Sequence, residues 1–435
     1  MAINYNPSVV SSGLVLALDA GNIKSYDKYE NLFTYSEQFD NAAWSKGSVT
    51  VGINSITAPD GTLTADKLQE TNVNEQHLIL QSISGVTIGS VYTLSCWAKA
   101  AERTQMSLTA FGEGYSVFNL SNGTVISTGG NSNVTITPYS NGWYKCTATI
   151  TRTSTNGNFY ILIWNNTNVY TGTTGSGIYI WGAQLEINST ATDYYATTTT
   201  AKTRGTTWTD LSGNGNNGTL GIGTTTPYYN NSNGGSLVFD GVNDYVTNGS
   251  TDLSIVNNLF SDSNGSWTVS AWFKFPVSPT QVRDNNLNGG NCSYSIVGRS
   301  GGIATGAAFA LFVGGTTTTY GSFSNYCAVI IRGTITAVSP STVNTNTWNN
   351  AVITWNGTNN FSYFNGSGPN AVTTGTAVAQ TYNLDIGTTA SLNTPSTGYH
   401  NFEGSIGSVL IHNRALTAAE IQQNYNALKG RFGLT

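Results

Sequence analysis

Short runs of alternating apolar and polar residues, separated by Gly, Asn and Ser turns, recur along this chain and constrain its fold most strongly. In Tyr92–Lys99 an apolar residue falls at every second position, whereas Trp97 shares the opposite face with Thr, Ser and Lys. A period of two is typical of half-buried β-strands. The chain is therefore predicted to be all-β, with its sheets packed as sandwiches.

Length and composition limit the domain count and the kind of partner. All-β domains can reach about 200–250 residues, so a chain of 435 residues is expected to hold two large domains. Only 9% of residues are charged, but 39% are apolar and 11% aromatic, which is enough to build cores. The net charge is −5 and no Lys/Arg cluster occurs, which argues against nucleic acid and suits neutral partners such as glycans.

Two segments about 180 residues apart fit together. Ser12–Asn22 (SGLVLALDAGN) predicts a strand, and Gly205–Leu220 (GTTWTDLSGNGNNGTL) is its expected continuation. With Ser236–Val246 (SLVFDGVNDYV), they resemble the opening of a concanavalin-A-like, laminin-G-type jelly roll found in many bacteriophage virion proteins. In that family a loop with the sequence pattern of Gly205–Leu220 follows the first strand within a few residues. The resemblance therefore implies that a second domain is inserted after the first strand.

The inserted segment has its own resemblance. Asn31–Trp44 (NLFTYSEQFDNAAW), Gly142–Cys146 (GWYKC) and Trp181–Glu186 (WGAQLE) are similar to a carbohydrate-binding-module-like β-sandwich of phage tail and head proteins. The expected organisation is an arm and first jelly-roll strand in 1–28, an inserted β-sandwich in 29–202, and the rest of the jelly roll in 203–435. The first strand is predicted to pair beside 405–412.

The C-terminal segment predicts one short helix. Within Asn413–Tyr425 (NRALTAAEIQQNY), Thr417 and Glu420 have capping-box spacing, and Gly430 is expected to end the helix. This tail is also typical of the jelly-roll family.

The four cysteines, Cys96, Cys146, Cys292 and Cys327, form no CxxC pair. This pattern argues against zinc and against a disulfide framework. Cys96 and Cys146 fall on apolar strand faces, so buried free thiols are favoured over a disulfide between them.

Catalysis is not expected. Glycosidases on this fold need two carboxyls about 5–5.5 Å or 6.5–9.5 Å apart. The jelly-roll segments contain only two Glu, Glu403 and Glu420, and Glu420 is assigned to the helix cap. No pair of acidic residues alternates along any of the predicted strands. We therefore predict that the protein is not an enzyme, with a polysaccharide-degrading enzyme as the alternative.

Sugar binding is the favoured site hypothesis. Aromatic rings stack on the apolar face of a pyranose, and amide or carboxylate groups bind its hydroxyls. The candidate residues, expected to converge on one concave face of the inserted domain, are Trp97, Trp164, Gln184 and Glu186. For either Trp the alternative is a second packed layer or a contact with the other domain.

A metal ion, if one is bound, is predicted to be calcium at the jelly-roll rim. Asp240 and Asp244 flank a turn and would be its ligands, and Asp210 with Asn214 and Asn216 forms a second turn-rich candidate. The alternative is that these residues cap their turns.

No signal peptide or transmembrane stretch is visible. Together with the resemblance, this predicts a phage virion structural protein, such as a tail fibre, adhesin or capsid decoration protein, made in the host cytoplasm. Its expected partners are other virion proteins, copies of itself and host surface glycan, without nucleic acid or membrane. The arm 1–10 is expected to leave the jelly roll towards a neighbouring subunit. A bacterial surface lectin or adhesin is a further alternative.

Overall fold

The computed structural model describes residues 8–222, 225–248, 265–276, 293–299, 309–314, 327–331, 334–339, 343–372, 384–388 and 401–435. Within these ranges no helix is both long and apolar enough to cross a membrane. The chain divides into two compact units. The split unit comprises 1–27 and 205–435, and the inserted unit comprises 28–204. These limits differ by one and two residues from the boundaries expected for the insertion.

The split unit begins with β1 (Leu14–Asp19). The strands of the inserted unit are β2 (Ser45–Gly47), β3 (Val49–Ile56), β4 (Ala65–Glu70), β5 (Asn74–Glu75), β6 (Leu78–Ser82), β7 (Val91–Ala100), β8 (Gln105–Ala110), β9 (Ser116–Asn119), β10 (Thr124–Ser127), β11 (Ser132–Pro138), β12 (Tyr144–Thr151), β13 (Asn158–Trp164), β14 (Tyr170–Thr171) and β15 (Gly177–Glu186).

The split unit resumes after the insertion and ends in a helix, α1 (Ala418–Leu428). Its further strands are β16 (Thr207–Trp208), β17 (Gly218–Leu220), β18 (Tyr228–Asn230), β19 (Ser236–Asp240), β20 (Val246–Thr247), β21 (Trp267–Lys274), β22 (Ser293–Arg299), β23 (Phe309–Gly314), β24 (Cys327–Ile331), β25 (Thr334–Ala337), β26 (Trp348–Trp355), β27 (Asn360–Phe364), β28 (Ser367–Val372), β29 (Asp385–Ile386) and β30 (Glu403–His412).

Strand β1 belongs to the split unit although 177 residues of the inserted unit, 28–204, separate it from the rest. It pairs antiparallel with β30, and its register places Leu14 opposite His412 and Asp19 opposite Ser408. Leu16 and Leu18 are buried in the core. This is the pairing predicted from the severed jelly-roll opening.

The described strands of the split unit form two sheets. The β30 sheet has the order β18-β19-β30-β21-β26-β27-β28, with β1 also on β30, and the β22 sheet has the order β16-β17-β20-β29-β22-β23-β24-β25. Apolar side chains from both sheets meet in one core, which includes Leu16, Leu237, Val269, Phe273, Ile353 and Ile411 with Val246, Val297, Leu311 and Ile386. The all-β sandwich predicted from the strand pattern is confirmed.

The predicted capping box begins α1. The Glu420 amide donates to Thr417 Oγ1 at 3.3 Å, and the Thr417 amide donates to Glu420 Oε2 at 2.9 Å. Hydrogen bonds from the Arg414 guanidinium lower the pKa of Glu420 to about 2. The carboxylate is therefore held ionised at the positive end of the helix.

The start of the described chain lies on this helix. The Val10 amide donates to Asn424 Oδ1 at 2.7 Å, and Gln423 Nε2 donates to the Ser8 carbonyl at 2.8 Å. The expected departure of the arm is therefore incorrect for residues 8–10, because these backbone groups find their partners on α1. Residues 1–7 of the arm lie outside the described residues.

The inserted unit is a second sandwich. The β13 sheet has the order β10-β9-β8-β13-β6-β2, the β7 sheet has the order β11-β12-β7-β15-β4-β3, and β14 pairs with β5. Cys96 and Cys146 lie opposite each other on β7 and β12, buried in the core as free thiols. Burial raises the pKa of Cys96 to about 12, so its thiol is unreactive at neutral pH. Cys292 lies outside the described residues.

The two points at which the chain enters and leaves the inserted unit are joined by backbone hydrogen bonds within each unit. In the inserted unit, the backbones of Asn31 and Lys202 exchange hydrogen bonds of 2.8 and 2.9 Å. In the split unit, the Gly205 amide donates to the Asp27 carbonyl at 3.0 Å, and Tyr26 bridges to Trp208. Entry and exit are thus adjacent in both units, which is the geometry that tolerates a domain insertion.

Candidate functional site

Trp97 belongs to a packed layer. It lies on the face of the β7 sheet turned away from the core, as predicted, but only 8% of its surface is exposed. Its ring packs edge-on against Trp181 and Tyr194, with centroids 5.4 and 5.3 Å away. Lys145 Nζ lies 4.7 Å from the ring centroid. No ring face of Trp97 is left open for a sugar.

Gln184 and Glu186 hold the chain segment that covers this face. Gln184 Oε1 accepts from the Tyr195 amide at 2.8 Å, and Glu186 Oε2 accepts from the Thr192 amide at 3.0 Å. Both side chains are buried, and burial raises the pKa of Glu186. The prediction that these residues line an open concave face is therefore wrong. The return segment 191–195 covers the face and forms the second packed layer that was the alternative for Trp97.

Trp164 lies elsewhere. It ends β13, in the other sheet, and is partly exposed. The four predicted residues therefore do not converge. The Trp164 ring instead contacts Tyr115, with centroids 5.2 Å apart and planes 49° apart.

A groove of about 250 Å³ lies on the face of the β13 sheet that is turned away from the core. Because Phe159, Ile161 and Ile163 point into the core, the alternation of β13 places Tyr160, Leu162 and Trp164 on the opposite face. The residues lining the groove, which we term the Tyr160 groove, are Gln76, Thr109, Ala110, Phe111, Gly112, Glu113, Tyr115, Tyr160 and Leu162.

Aromatic rings border this groove. Phe111 is 50% exposed, Tyr115 and Tyr160 are partly exposed, and Leu162 is buried. The Tyr115 hydroxyl accepts from Gln76 Nε2 at 2.9 Å and from Asn168 Nδ2 at 3.2 Å. Because a tyrosine oxygen has two acceptor positions, both are used here, and its proton remains to be donated.

A buried arginine fixes the loop at the groove edge. Arg152 Nη1 donates to the Phe111 carbonyl at 3.1 Å and to Glu113 Oε1 at 3.0 Å, and its Nη2 donates to the Asn156 carbonyl at 2.6 Å. Glu113 Oε1 also accepts from the Thr153 amide at 2.8 Å. These charge-assisted bonds hold both the loop backbone and the carboxylate in place.

The same loop depends on a close backbone approach. A Cβ on Gly114 would lie 1.9 Å from the Gly129 carbonyl oxygen, and Gly112 has a φ of +82°. Glycine therefore allows the loop to fold beside the sheet.

Part of this site had a signal in the sequence. Tyr160, Leu162 and Trp164 alternate with core residues, so β13 carries large side chains on both faces, which indicates a second covered or binding surface. Gln76 and Glu113 are distant in the sequence, and no spacing links them to β13.

The rim carboxylates cap their turn. Asp244 Oδ2 accepts from the Asp240 amide at 2.8 Å, and Asp240 Oδ1 accepts from the amides of Val242 at 2.7 Å and Asn243 at 3.2 Å. Among the residues described, no three His, Cys, Asp or Glu side chains gather to hold a metal ion. The hydrogen bonds favour the turn-capping alternative over calcium ligation.

The second candidate turn follows the same pattern. Asp210 accepts from the amides of Ala17 at 2.8 Å, Ser212 at 2.9 Å and Asn216 at 3.0 Å. Its carboxylate therefore ties the resumed loop to β1.

We expect Asp244→Asn to stabilise the split unit at pH 8. Burial, with the nearby Asp240 carboxylate, raises the pKa of Asp244 to about 7. Because this is above the unfolded value, the group favours folding below about pH 4, and this contribution is lost as pH rises through 7. Because asparagine cannot ionise, Asp244→Asn should increase the free energy of unfolding by about 1–3 kcal/mol at pH 8 and change it little at pH 4.

Urea denaturation at both pH values measures this, with the exposed turn variant Asp60→Asn as control. If Asp244 instead ligates calcium, added Ca²⁺ should raise the melting temperature of the wild type, and Asp244→Asn should abolish that rise.

Part of the split unit matches a protein family model. Residues 239–422 match the family model of the concanavalin A-like lectin/glucanases superfamily, of the Laminin_G_3 type. This segment of the split unit is therefore similar to a concanavalin A-like lectin/glucanase domain. No curated protein matches the sequence.

Several solved structures resemble parts of the chain. The binding domain of botulinum neurotoxin serotype D/C is 16% identical, with a TM-score of 0.33, over 50% of this chain and 49% of that one. The binding domain of paraclostridial mosquitocidal protein 1 is 16% identical, with a TM-score of 0.34, over 52% of each chain. The chain thus spans about half the length of these toxin domains.

Domain 4 of AbnA, an extracellular GH43 arabinanase from Geobacillus stearothermophilus solved with arabinotriose, is also 16% identical. Its TM-score is 0.32, over 50% of this chain and 92% of that one.

Proposed function

We propose that the protein is a non-catalytic, glycan-binding structural protein of a bacteriophage particle, and that the Tyr160 groove is its sugar site. The observation that carries the glycan part is the grouping of partly or fully exposed aromatic rings with polar groups on one face of the β13 sheet. The lectin/glucanase domain in the same chain supports a role in carbohydrate recognition.

The groove chemistry matches a sugar. The Tyr160 and Phe111 rings offer apolar surface to the C–H face of a pyranose or furanose. The Tyr115 hydroxyl offers a donor and Glu113 an acceptor for sugar hydroxyls. Since one such groove makes few contacts, useful adhesion would come from many copies acting together on a particle.

The carboxylates of the groove lining do not favour a catalytic role. Glu113 is the only carboxylate among the groove-lining residues, and it is paired with Arg152. Hydrolysis by the usual mechanism needs a second carboxyl group within about 10 Å to act as acid or nucleophile.

The virion role rests on the sequence resemblance of both units to phage modules. It implies a tail fibre, adhesin or capsid decoration protein located in the virion, in contact with other virion proteins, with copies of itself and with host surface polysaccharide. Mapping the chain in an electron-microscopy reconstruction of the intact particle tests this part. Absence of the chain from purified particles would overturn it.

Tyr160→Ala tests the sugar site. We expect it to weaken binding of the purified protein to its glycan on an oligosaccharide array by about tenfold or more, because the stacking surface is lost. Trp164→Ala should give a smaller loss, since Trp164 acts by supporting Tyr115.

The matched control is Tyr139→Ala, which removes a 53% exposed tyrosine of the inserted unit outside the groove. Equal binding by the Tyr160 and Tyr139 variants would exclude the groove as the sugar site. Release of shortened chains from a bound polysaccharide would show an enzyme instead.

A further inference from the structure

We propose that the Tyr160 groove selects neutral glycans over acidic ones, and that Glu113 determines this selectivity. The inference rests on the proposed sugar-binding function and names its ligand class: a glycan whose bound residue carries hydroxyls and no carboxylate, sulfate or phosphate.

The charges around the groove support this selection. Of its nine lining residues only Glu113 is charged, and none is Lys, Arg or His. Acidic sugars are usually bound by cationic or fork-shaped donors, which match their oxygen atoms. The groove lining provides no such partner.

Arg152 does not fill that role. Its side chain is fully buried, whereas the Glu113 side chain is 10% exposed. The guanidinium donors that make hydrogen bonds point to Glu113 and to the carbonyls of Phe111 and Asn156. The buried arginine therefore stabilises Oε1 of Glu113 and is not exposed to a ligand.

The two oxygens of Glu113 are differently placed. Oε1 accepts from Arg152, from the Thr153 amide and from the Thr153 hydroxyl at 2.9 Å. Within the part of the chain that the structure describes, no group donates to Oε2. A carboxylate oriented in this way is a preorganised acceptor for a sugar hydroxyl.

An acidic ligand would lose this hydrogen bond and gain none. Its carboxylate would face Oε2, an acceptor of like charge, and would be desolvated without a cation in reach. A neutral sugar would donate to Oε2 and accept from Tyr115. The same two groups therefore favour one ligand class and disfavour the other.

The experiment measures binding of the full chain to matched oligosaccharide pairs that differ only at C6: glucose and glucuronate, galactose and galacturonate, mannose and mannuronate. For the wild type we expect binding to the neutral member of at least one pair, with its acidic partner bound about tenfold or more weakly. Raising NaCl to about 1 M should narrow that ratio, because salt screens the repulsion.

Two variants assign the effect to Glu113. Glu113→Gln leaves the Arg152 charge uncompensated, so the preference should shift towards the acidic member. The double variant E113Q/R152M removes both charges and should bind both members about equally. It also keeps the test valid if the single variant fails to fold, and thermal melting identifies that case.

The outcomes separate the two proposals. If the double variant binds the neutral sugars and still prefers them over the acidic ones by the wild-type ratio, the role of Glu113 is overturned. Equal or stronger wild-type binding of the acidic members would overturn the selectivity but leave sugar binding intact. No binding to any member, with the same result on a broader array, would overturn the proposed function itself.

Discussion

Replacing Leu16 by alanine is expected to lower the free energy of unfolding of the split unit by about 2–5 kcal/mol. Leu16 is fully buried in the core that Val269 and Ile411 also form, although the inserted unit separates it from them in the sequence. The loss combines the transfer of apolar surface with a cavity that the two sheets cannot close.

Hydrogen exchange of the β30 amides during urea titration measures this, because β30 pairs directly with β1. Ile23→Ala is the matched control: Ile23 follows β1 and is 48% exposed, so its loss should change stability by less than about 0.5 kcal/mol. If both variants behaved alike, β1 would not be part of the split unit's core.

Arg152→Met is expected to destabilise the inserted unit by about 3–5 kcal/mol. The substitution leaves Glu113 without its cation and two backbone carbonyls, of Phe111 and Asn156, without their donor. Removing one partner of a buried ion pair lowers the free energy of unfolding by more than the pair contributes to it, since the remaining charge stays desolvated.

Urea denaturation of the full chain measures this loss. Lys67→Met is the control, because the Glu102 carboxylate of its ion pair is 53% exposed and the pair should contribute at most about 1 kcal/mol. The double variant E113Q/R152M should recover part of the stability. A single Arg152 variant as stable as Lys67→Met would mean that the loop is held by its backbone alone.

Local patterns in the sequence predicted the elements of the fold well. Alternation in β7 identified the strand and its core face, since a side chain's face follows from parity alone. Thr417 and Glu420 identified the start of α1, because a capping box acts within four residues. The pairing of β1 with β30 needed the family resemblance, because no local signal links segments so far apart.

The candidate site was predicted less well, for a physical reason. Parity placed Trp97 on the outer face of its sheet, but parity cannot tell whether another segment covers that face. Gln184 and Glu186 bind the backbone of 191–195, a role that looks the same in sequence as sugar binding. Likewise, a carboxylate at a turn can serve amides or an ion, and only the geometry of Asp240 and Asp244 separates the two.

The adjacent entry and exit of the insertion bear on how such a protein can change during evolution. Asp27 meets Gly205 in the split unit, and Asn31 meets Lys202 in the inserted unit. Any compact domain with neighbouring termini could replace 28–204 while β1 still reaches β30. Recombination at these two junctions would then exchange the whole inserted unit as one cassette. A lineage could acquire a new binding surface in a single event, with no compensating substitution in the split unit.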